Sequence, residues 1–143
     1  HRPVALLDIG EIYYLDDTGK PFKKLGAGKE NGLPVVTGFT RLDLIRRPDL
    51  MQKEMETVLD LLNILAERND RVRVENIASI KYDRIRGITL RTREGNLQVE
   101  VGSKGYRVKF ERLGRVLAHL KIESLDRDLA YINLECGPRV IIR

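Results

Sequence analysis

The order of apolar patterns along the chain predicts an α+β domain with a mostly antiparallel β-sheet and two main α-helices. Runs with an apolar residue at every second position lie at both ends and in the middle of the chain, and two stretches of helical period separate them. The chain has 143 residues, of which 42% are apolar and 33% charged, as is typical of a globular protein with one core. We therefore expect a single domain that spans residues 1–143.

The first forty residues predict strands joined by turns. Val4–Leu7 and Ile12–Leu15 have the composition of strands, with a tight connection between them. Asp16-Asp17-Thr18-Gly19 is a turn signal, because aspartate tolerates turn geometry and glycine accepts a positive φ. After the turn we expect an extended restart in which Phe22 anchors the chain to the core, an exposed loop rich in glycine and lysine, and an apolar extended segment from Leu33 to Phe39.

Two helices are predicted by apolar residues that recur in alternate steps of four and three. The first begins at Pro48, because proline suits the first helical position, and ends near Asn69. The second runs from about Gly105 to Lys121, and Gly114 inside it indicates close packing, since glycine costs about 1 kcal/mol relative to alanine in a helix. The apolar faces comprise Met51, Met55, Val58, Leu62 and Leu65 in the first helix and Tyr106, Phe110, Leu113, Leu117 and Leu120 in the second.

Between the helices the apolar pattern changes to period two. Val72 and Val74 are expected to begin one strand, and Ile77–Tyr82 to form another. The clearest hairpin joins Ile88–Arg93 to Leu97–Val101 through a two-residue loop. The favoured register, in which apolar residues oppose one another, has the pairs Thr92–Leu97, Leu90–Val99 and Ile88–Val101.

The final stretch contains two strand-like runs, Ala130–Leu134 and Arg139–Ile142, which Gly137-Pro138 separates. Pro138 cannot donate a hydrogen bond to a central ladder, so it favours a strand start, a bulge or an edge. In the first run, alternation places Ala130, Ile132 and Leu134 on one face and Leu129, Tyr131 and Asn133 on the other.

The last apolar run, which includes Val140, Ile141 and Ile142, has two interpretations. It is either a closing strand buried inside the fold or an edge strand on which another chain can dock. The residues alone favour the buried strand, since most apolar strands belong to the core.

Signals for catalysis or metal binding are few. The two histidines are His1 and His119, and neither has a partner at the spacing of metal ligands. Cys136 is the single cysteine, so it forms no disulfide within the chain. No nucleophile has a base and an orienting group in a recognisable motif. We expect no enzymatic activity, no metal and no cofactor.

The chain is basic, with a net charge of +5, and Arg84, Arg86, Arg91 and Arg93 form a local cluster. Nucleic-acid binding is one interpretation, but single strands are usually held by aromatic residues among the cations, and only Tyr82 is nearby. A solvated hairpin face, with Arg91 diagonal to Glu100, is a simpler interpretation. The same arginines can also receive an acidic peptide beside a docking strand.

Five short segments, in this order along the chain, match the sequence patterns of one bacterial family. They are His1-Arg2-Pro3-Val4-Ala5; Ile12-Tyr13-Tyr14-Leu15-Asp16 with Gly19 and Phe22; Leu33-Pro34-Val35-Val36-Thr37-Gly38; Leu97–Gly102 with Arg112-Leu113-Gly114-Arg115; and Tyr131-Ile132-Asn133-Leu134 with the following glycine. Together they resemble the extracytoplasmic β-domain of the cell-division protein FtsQ, called DivIB in Gram-positive bacteria. The third segment is similar to the family pattern LPVLTG and is the most specific match.

The resemblance implies a non-enzymatic scaffold of the division machinery with an FtsQ/DivIB-type β-domain. Residues 1–7 would then hold the junction with an upstream POTRA domain. Members of this family are anchored by a single upstream transmembrane segment, absent from this chain, and the β-domain lies on the periplasmic face of the inner membrane. Their partners are FtsB-like (DivIC-like) and FtsL-like proteins, one of which pairs with the last β-strand.

Carried onto this chain, the resemblance favours the docking interpretation of the last strand. It implies a partner-binding site that comprises Glu135, Cys136, Gly137, Pro138, Arg139, Val140, Ile141 and Ile142, with Arg84 and Arg86 nearby. Three residues depart from the family pattern: Asn133 replaces aspartate, Glu135 arginine and Cys136 an aromatic residue. Because Glu135 would repel an acid of the partner, one of Arg84, Arg86 and Arg139 takes that role or the partner differs. A nucleic-acid-binding domain and a module that contacts peptidoglycan or assists assembly are the alternatives.

Overall fold

The computed structural model describes residues 2–26, 32–125, 128–135 and 141–143. Its strands are β1 (Pro3–Asp8), β2 (Ile12–Asp16), β3 (Pro21–Lys24), β4 (Val35–Thr37), β5 (Ile77–Asp83), β6 (Gly87–Thr92), β7 (Gln98–Gly102), β8 (Tyr131–Asn133) and β9 (Ile141–Ile142). Its helices are α1 (Arg41–Arg46), α2 (Pro48–Ala66) and α3 (Tyr106–Ile122). The α+β class predicted from the sequence is confirmed.

The described strands form one mixed sheet in the order β3-β2-β1-β4-β5-β6-β7-β8-β9. Hairpins and meanders make most neighbouring strands antiparallel, as the sequence predicts. Three pairs are parallel: β1 with β4, β4 with β5, and β7 with β8. In each parallel pair the chain leaves one strand and returns in the same direction, which requires a longer crossover connection.

One line of paired residues crosses the whole sheet on the side that packs against α2 and α3. We call it the cross-sheet row, and from β3 to β9 it comprises Lys24, Tyr13, Leu7, Val36, Ile80, Leu90, Val99, Ile132 and Ile142. Its central members, from Leu7 to Ile132, are fully buried. The opposite face of β4 to β8 carries polar side chains, among them Ser79, Thr89 and Gln98.

The two main helices are formed and packed as their apolar spacing predicts. Every predicted core residue of α2 is buried, and in α3 Phe110, Leu113, Leu117 and Leu120 are buried while Tyr106 is half-buried. α2 ends at Ala66, slightly earlier than expected. The predicted close packing at Gly114 is confirmed, because a Cβ there would lie 3.0 Å from the Arg68 guanidinium.

The short helix α1 was not predicted. A capping box starts it: the Thr40 hydroxyl accepts from the Asp43 N–H, and the Asp43 carboxylate accepts from the Thr40 N–H. This motif satisfies two N–H groups that have no partner within the helix.

The β6–β7 hairpin follows the predicted register through Leu90 and Val99, and the Thr92 N–H donates to the Leu97 carbonyl. A β-bulge between Ile88 and Thr89 then shifts the pairing, so that Ile88 lies opposite Gly102 instead of Val101. Gly102 has a φ of 85°, a conformation that valine disfavours.

The predicted diagonal position of Arg91 relative to Glu100 is confirmed, because Arg91 lies opposite Gln98 and Thr89 opposite Glu100, and the Arg91 guanidinium donates to Asn96 and Gln98. Three local predictions are wrong. Val74–Asn76 forms a 3-10 turn rather than the strand expected from Val72 and Val74. Phe22 is 36% exposed and stacks on Tyr14 instead of entering the core. Before β8 the alternation breaks, because Leu129 is buried and Ala130 is exposed.

Candidate functional site

The predicted docking strand lies at one edge of the sheet. Within the described part of the chain β9 has one neighbour, β8, to which it is antiparallel. Ile142 lies opposite Ile132, and Ile141 lies opposite Asn133. No described strand covers the other side of β9, so that side is available to a further strand.

The hydrogen bonds between β8 and β9 show which backbone groups point outward. The Arg143 N–H donates to the Tyr131 carbonyl, and the Tyr131 N–H donates to the Arg143 carbonyl, each over 2.9 Å. Because the direction alternates along an antiparallel strand, Ile141 also faces β8, whereas the N–H and C=O of Ile142 point away from it. Ile142, rather than Ile141, thus presents the free donor and acceptor of the described edge.

The side chains of β9 are half-exposed, at 43% for Ile141 and 40% for Ile142. Ile142 ends the cross-sheet row, next to the fully buried Ile132, so it continues the core face to the edge of the sheet. Ile141 projects to the polar face. A strand added outside β9 could cover Ile142 with an apolar side chain and extend the core by one position.

Tyr131 and Arg143 hold β9 on the sheet. The Arg143 guanidinium lies 4.3 Å from the centroid of the Tyr131 ring, and the Tyr131 hydroxyl donates to Glu100 over 2.8 Å. Burial and this bond to Glu100 raise the pKa of Tyr131. The sequence analysis placed neither residue in the site, because their contact depends on the register of β9 against β8, which the sequence does not give.

Five predicted site residues, Cys136, Gly137, Pro138, Arg139 and Val140, lie outside the described residues. Glu135 is described, and its N–H donates to the Asn133 side chain over 2.8 Å. Its carboxylate lies beside Gly102, where an added Cβ would be 2.7 Å from Glu135 Oε1 and 2.9 Å from Lys109 Nζ. The negative charge of Glu135 therefore has a cation close to it.

Arg84 and Arg86, which are neighbours in sequence, lie in different surroundings. Arg84 donates to both carboxylate oxygens of Glu54 over 2.9 Å and to Asp43 over 3.1 Å. These bonds, first those to Glu54, raise the pKa of Arg84. Its guanidinium thus connects the β5–β6 turn to α1 and α2. A signal for this contact was present in the sequence, since Glu54 falls within the apolar stripe of α2.

The structure brings Arg86 and Glu135 to one groove on the polar face of the sheet. The groove has a volume of about 720 Å³ and is also lined by Lys81, Arg91 and Glu100. Arg86 is exposed, and its backbone N–H donates to Asp83. Of the ten predicted site residues, Arg86 and Glu135 therefore line this groove, Ile141 and Ile142 form the edge strand, and Arg84 turns toward the helices.

The basic cluster is mostly engaged within the protein. Besides Arg84, Arg91 donates to the side chains of Asn96 and Gln98, and Arg93 donates to the Leu33 carbonyl. These contacts occupy guanidinium N–H donors that phosphate oxygens would need, so they count against a nucleic-acid surface.

The described residues contain neither a metal-binding cluster nor a membrane-spanning helix. No group of three or more His, Cys, Asp and Glu side chains there could hold a metal ion. None of the described helices is long and apolar enough to cross a bilayer.

The comparisons with known proteins agree on one family. Residues 5–135 match the model of the family described as "Cell division protein FtsQ/DivIB, C-terminal". The chain belongs to the FtsQ/DivIB family. It is 33% identical over 142 residues to the cell division protein FtsQ of Geotalea daltonii and 33% identical over 144 residues to that of a Geobacter species, strain M21. It is 28% identical over 138 residues to FtsQ of Myxococcus fulvus.

These alignments cover 96–99% of this chain and 48–50% of each relative, so the chain spans about half the length of the FtsQ proteins that it matches. The predicted family, a family of cell division proteins, is therefore confirmed. The family match, over residues 5–135, contains the described sheet from Ala5 in β1 to the end of β8.

Proposed function

We propose that this domain recruits FtsB-like and FtsL-like division proteins, and that a segment of one of them adds to β9 as a tenth strand. The observation that carries the proposal is the position of Ile142. It ends a buried apolar row at 40% exposure, and its N–H and C=O point away from β8. In strand addition, main-chain hydrogen bonds supply affinity and alternate side chains supply specificity.

The remaining parts of the proposal follow from membership of the family. The domain acts without catalysis or a cofactor, on the periplasmic face of the inner membrane, and upstream segments provide the anchor and the POTRA domain. Residues 135–140 would belong to the same partner-binding site, as the family pattern implies. Among the arginines, Arg86 fits an acidic side chain of the partner better than Arg84, because Arg84 is bonded to Glu54 and Asp43.

Co-purification with purified FtsB-type and FtsL-type ectodomains tests the proposal. Ile142→Pro removes the outward donor of β9 and leaves its bonds to β8 intact, so it should lower partner affinity by at least about tenfold. Lys24→Pro is the matched control. The Leu25 N–H donates to the Ile12 carbonyl, so the N–H of the preceding residue, Lys24, points outward at the opposite edge.

Lys24→Pro should leave partner binding unchanged. Both variants should keep the circular dichroism spectrum and melting temperature of the wild type within a few degrees. Equal binding by Ile142→Pro and wild type would contradict strand addition at β9.

A further inference from the structure

Arg143 directly follows β9 and continues its pairing with β8. It pairs with Tyr131 through two backbone hydrogen bonds, so its side chain shares the polar face with Tyr131 and Ile141, opposite to Ile142. Because both backbone groups of Arg143 are used by β8, Arg143 would form a non-hydrogen-bonded pair with an antiparallel strand added outside β9. Side chains approach one another most closely in such pairs.

The side chain of Arg143 is oriented without being neutralised. Its guanidinium lies over the Tyr131 ring, and the Tyr131 hydroxyl is in turn fixed by Glu100. Within the described residues no ion pair involves Arg143. A cation held on an aromatic face retains its charge and its outward N–H donors, which favour a carboxylate.

We propose that Arg143 is a specificity-determining residue of the docking edge. It selects an incoming strand that carries an aspartate or glutamate beside Arg143 and an aliphatic residue beside Ile142. This inference rests on the proposed function, since it names the chemistry of the segment that adds to β9.

A second copy of this chain does not satisfy the same edge. If two β9 strands paired antiparallel about Ile142, each Arg143 would lie opposite Ile141 of the other copy, and no carboxylate would meet it. The charge of Arg143 therefore favours an acidic strand of a different protein.

Three synthetic peptides of nine residues test the inference. Each alternates valine with one guest residue, which is glutamate, glutamine or lysine, and both ends are blocked. When valine covers Ile142, the guest residues lie on the face of Arg143. Fluorescence anisotropy at low ionic strength should rank the peptides Glu, Gln, Lys in falling affinity for the wild type, with about tenfold between the extremes.

Arg143→Glu should reverse this order. Arg46→Glu changes the net charge equally at an exposed arginine of α1, and it should leave the order unchanged. Ile142→Pro should weaken all three peptides.

The outcomes separate the two proposals. If Ile142→Pro weakens every peptide but Arg143→Glu keeps the wild-type order, strand addition stands and selection by Arg143 is overturned. If Ile142→Pro changes none of the affinities, the proposed function itself is contradicted.

Discussion

The two edges of the sheet end the same row of residues in opposite ways. The cross-sheet row begins with Lys24 on β3 and ends with Ile142 on β9. Both residues direct an N–H away from the sheet, so the two edges offer similar backbone groups. Lys24 carries a charge that pairs with Glu11 over 3.3 Å, whereas Ile142 presents a half-exposed aliphatic side chain.

This difference shows how one sheet can protect one edge and offer the other. Lysine and proline on an edge strand discourage pairing with other chains, and β3 contains Pro21, Lys23 and Lys24. β9 has neither residue among its two described positions. Because the backbone makes both edges competent, we expect the side chains to decide which edge a partner strand uses.

The largest effect on stability should come from the buried apolar residues that support each edge of the sheet. Leu7→Ala and Ile132→Ala remove fully buried members of the cross-sheet row near β3 and near β9. Each should lower the free energy of unfolding by about 2–5 kcal/mol, because each leaves a cavity. Urea denaturation measures this. Similar losses would show that the edges differ in chemistry rather than in the stability of their supports.

The second-largest effect should be a loss of partner affinity when β9 carries a lysine at its edge, as β3 does. Ile142→Lys places a charge where the partner strand would bury an aliphatic contact, so affinity for the partner ectodomain should fall by at least about tenfold. Isothermal titration calorimetry measures the change. Unaltered affinity would mean that the partner does not cover the end of the row.

A weaker effect is expected from the reverse exchange. Lys24→Ile removes the charge that protects β3 and should produce concentration-dependent self-association, which analytical ultracentrifugation detects. Pro21 and Lys23 remain, so the association should be weak. A variant that stays monomeric at all concentrations would show that proline and the second lysine suffice to protect this edge.

The smallest effect concerns acid, and it should involve the turn before β3. Burial alone would raise the pKa of Asp16, but hydrogen bonds from Thr18 and from the Lys20 N–H outweigh it and hold this pKa below its ordinary value of 3.8. A lowered folded-state pKa contributes stability above pH 3.8, and this contribution is lost as the pH falls through the folded value.

The melting temperature of Asp16→Asn should therefore lie below that of wild type at pH 6 and approach it below pH 3. A difference that does not change with pH would show that Asp16 acts through its shape and not its charge.

Local patterns predicted much of this fold from the sequence. The steps of four and three gave α2 and α3 with their core residues, and alternation gave the pairing of Leu90 with Val99. α1 was missed because six residues are too few for a periodic signal, although Thr40 and Asp43 form a readable capping box. The parallel pairing of β4 with β1 and β5 depends on contacts distant in sequence, which no local pattern contains.

The candidate site was predicted less completely than the fold. The family pattern pointed to the last strand, and the structure places Ile141 and Ile142 at the edge of the sheet. The outward direction of the Ile142 amide follows from the pairing of Tyr131 with Arg143, and a sequence does not give that register. The engagement of Arg84 by Glu54 and Asp43 is likewise a contact across 30 and 41 positions.

Amide hydrogen exchange at Ile142, followed by NMR in the free domain and in its complex with an FtsB-type ectodomain, tests the central claim most directly. The account predicts that the Ile142 amide exchanges freely in the isolated domain and becomes protected in the complex, while the Lys24 amide exchanges freely in both. An Ile142 amide that exchanges equally fast in the free domain and in a saturated complex would contradict docking on β9.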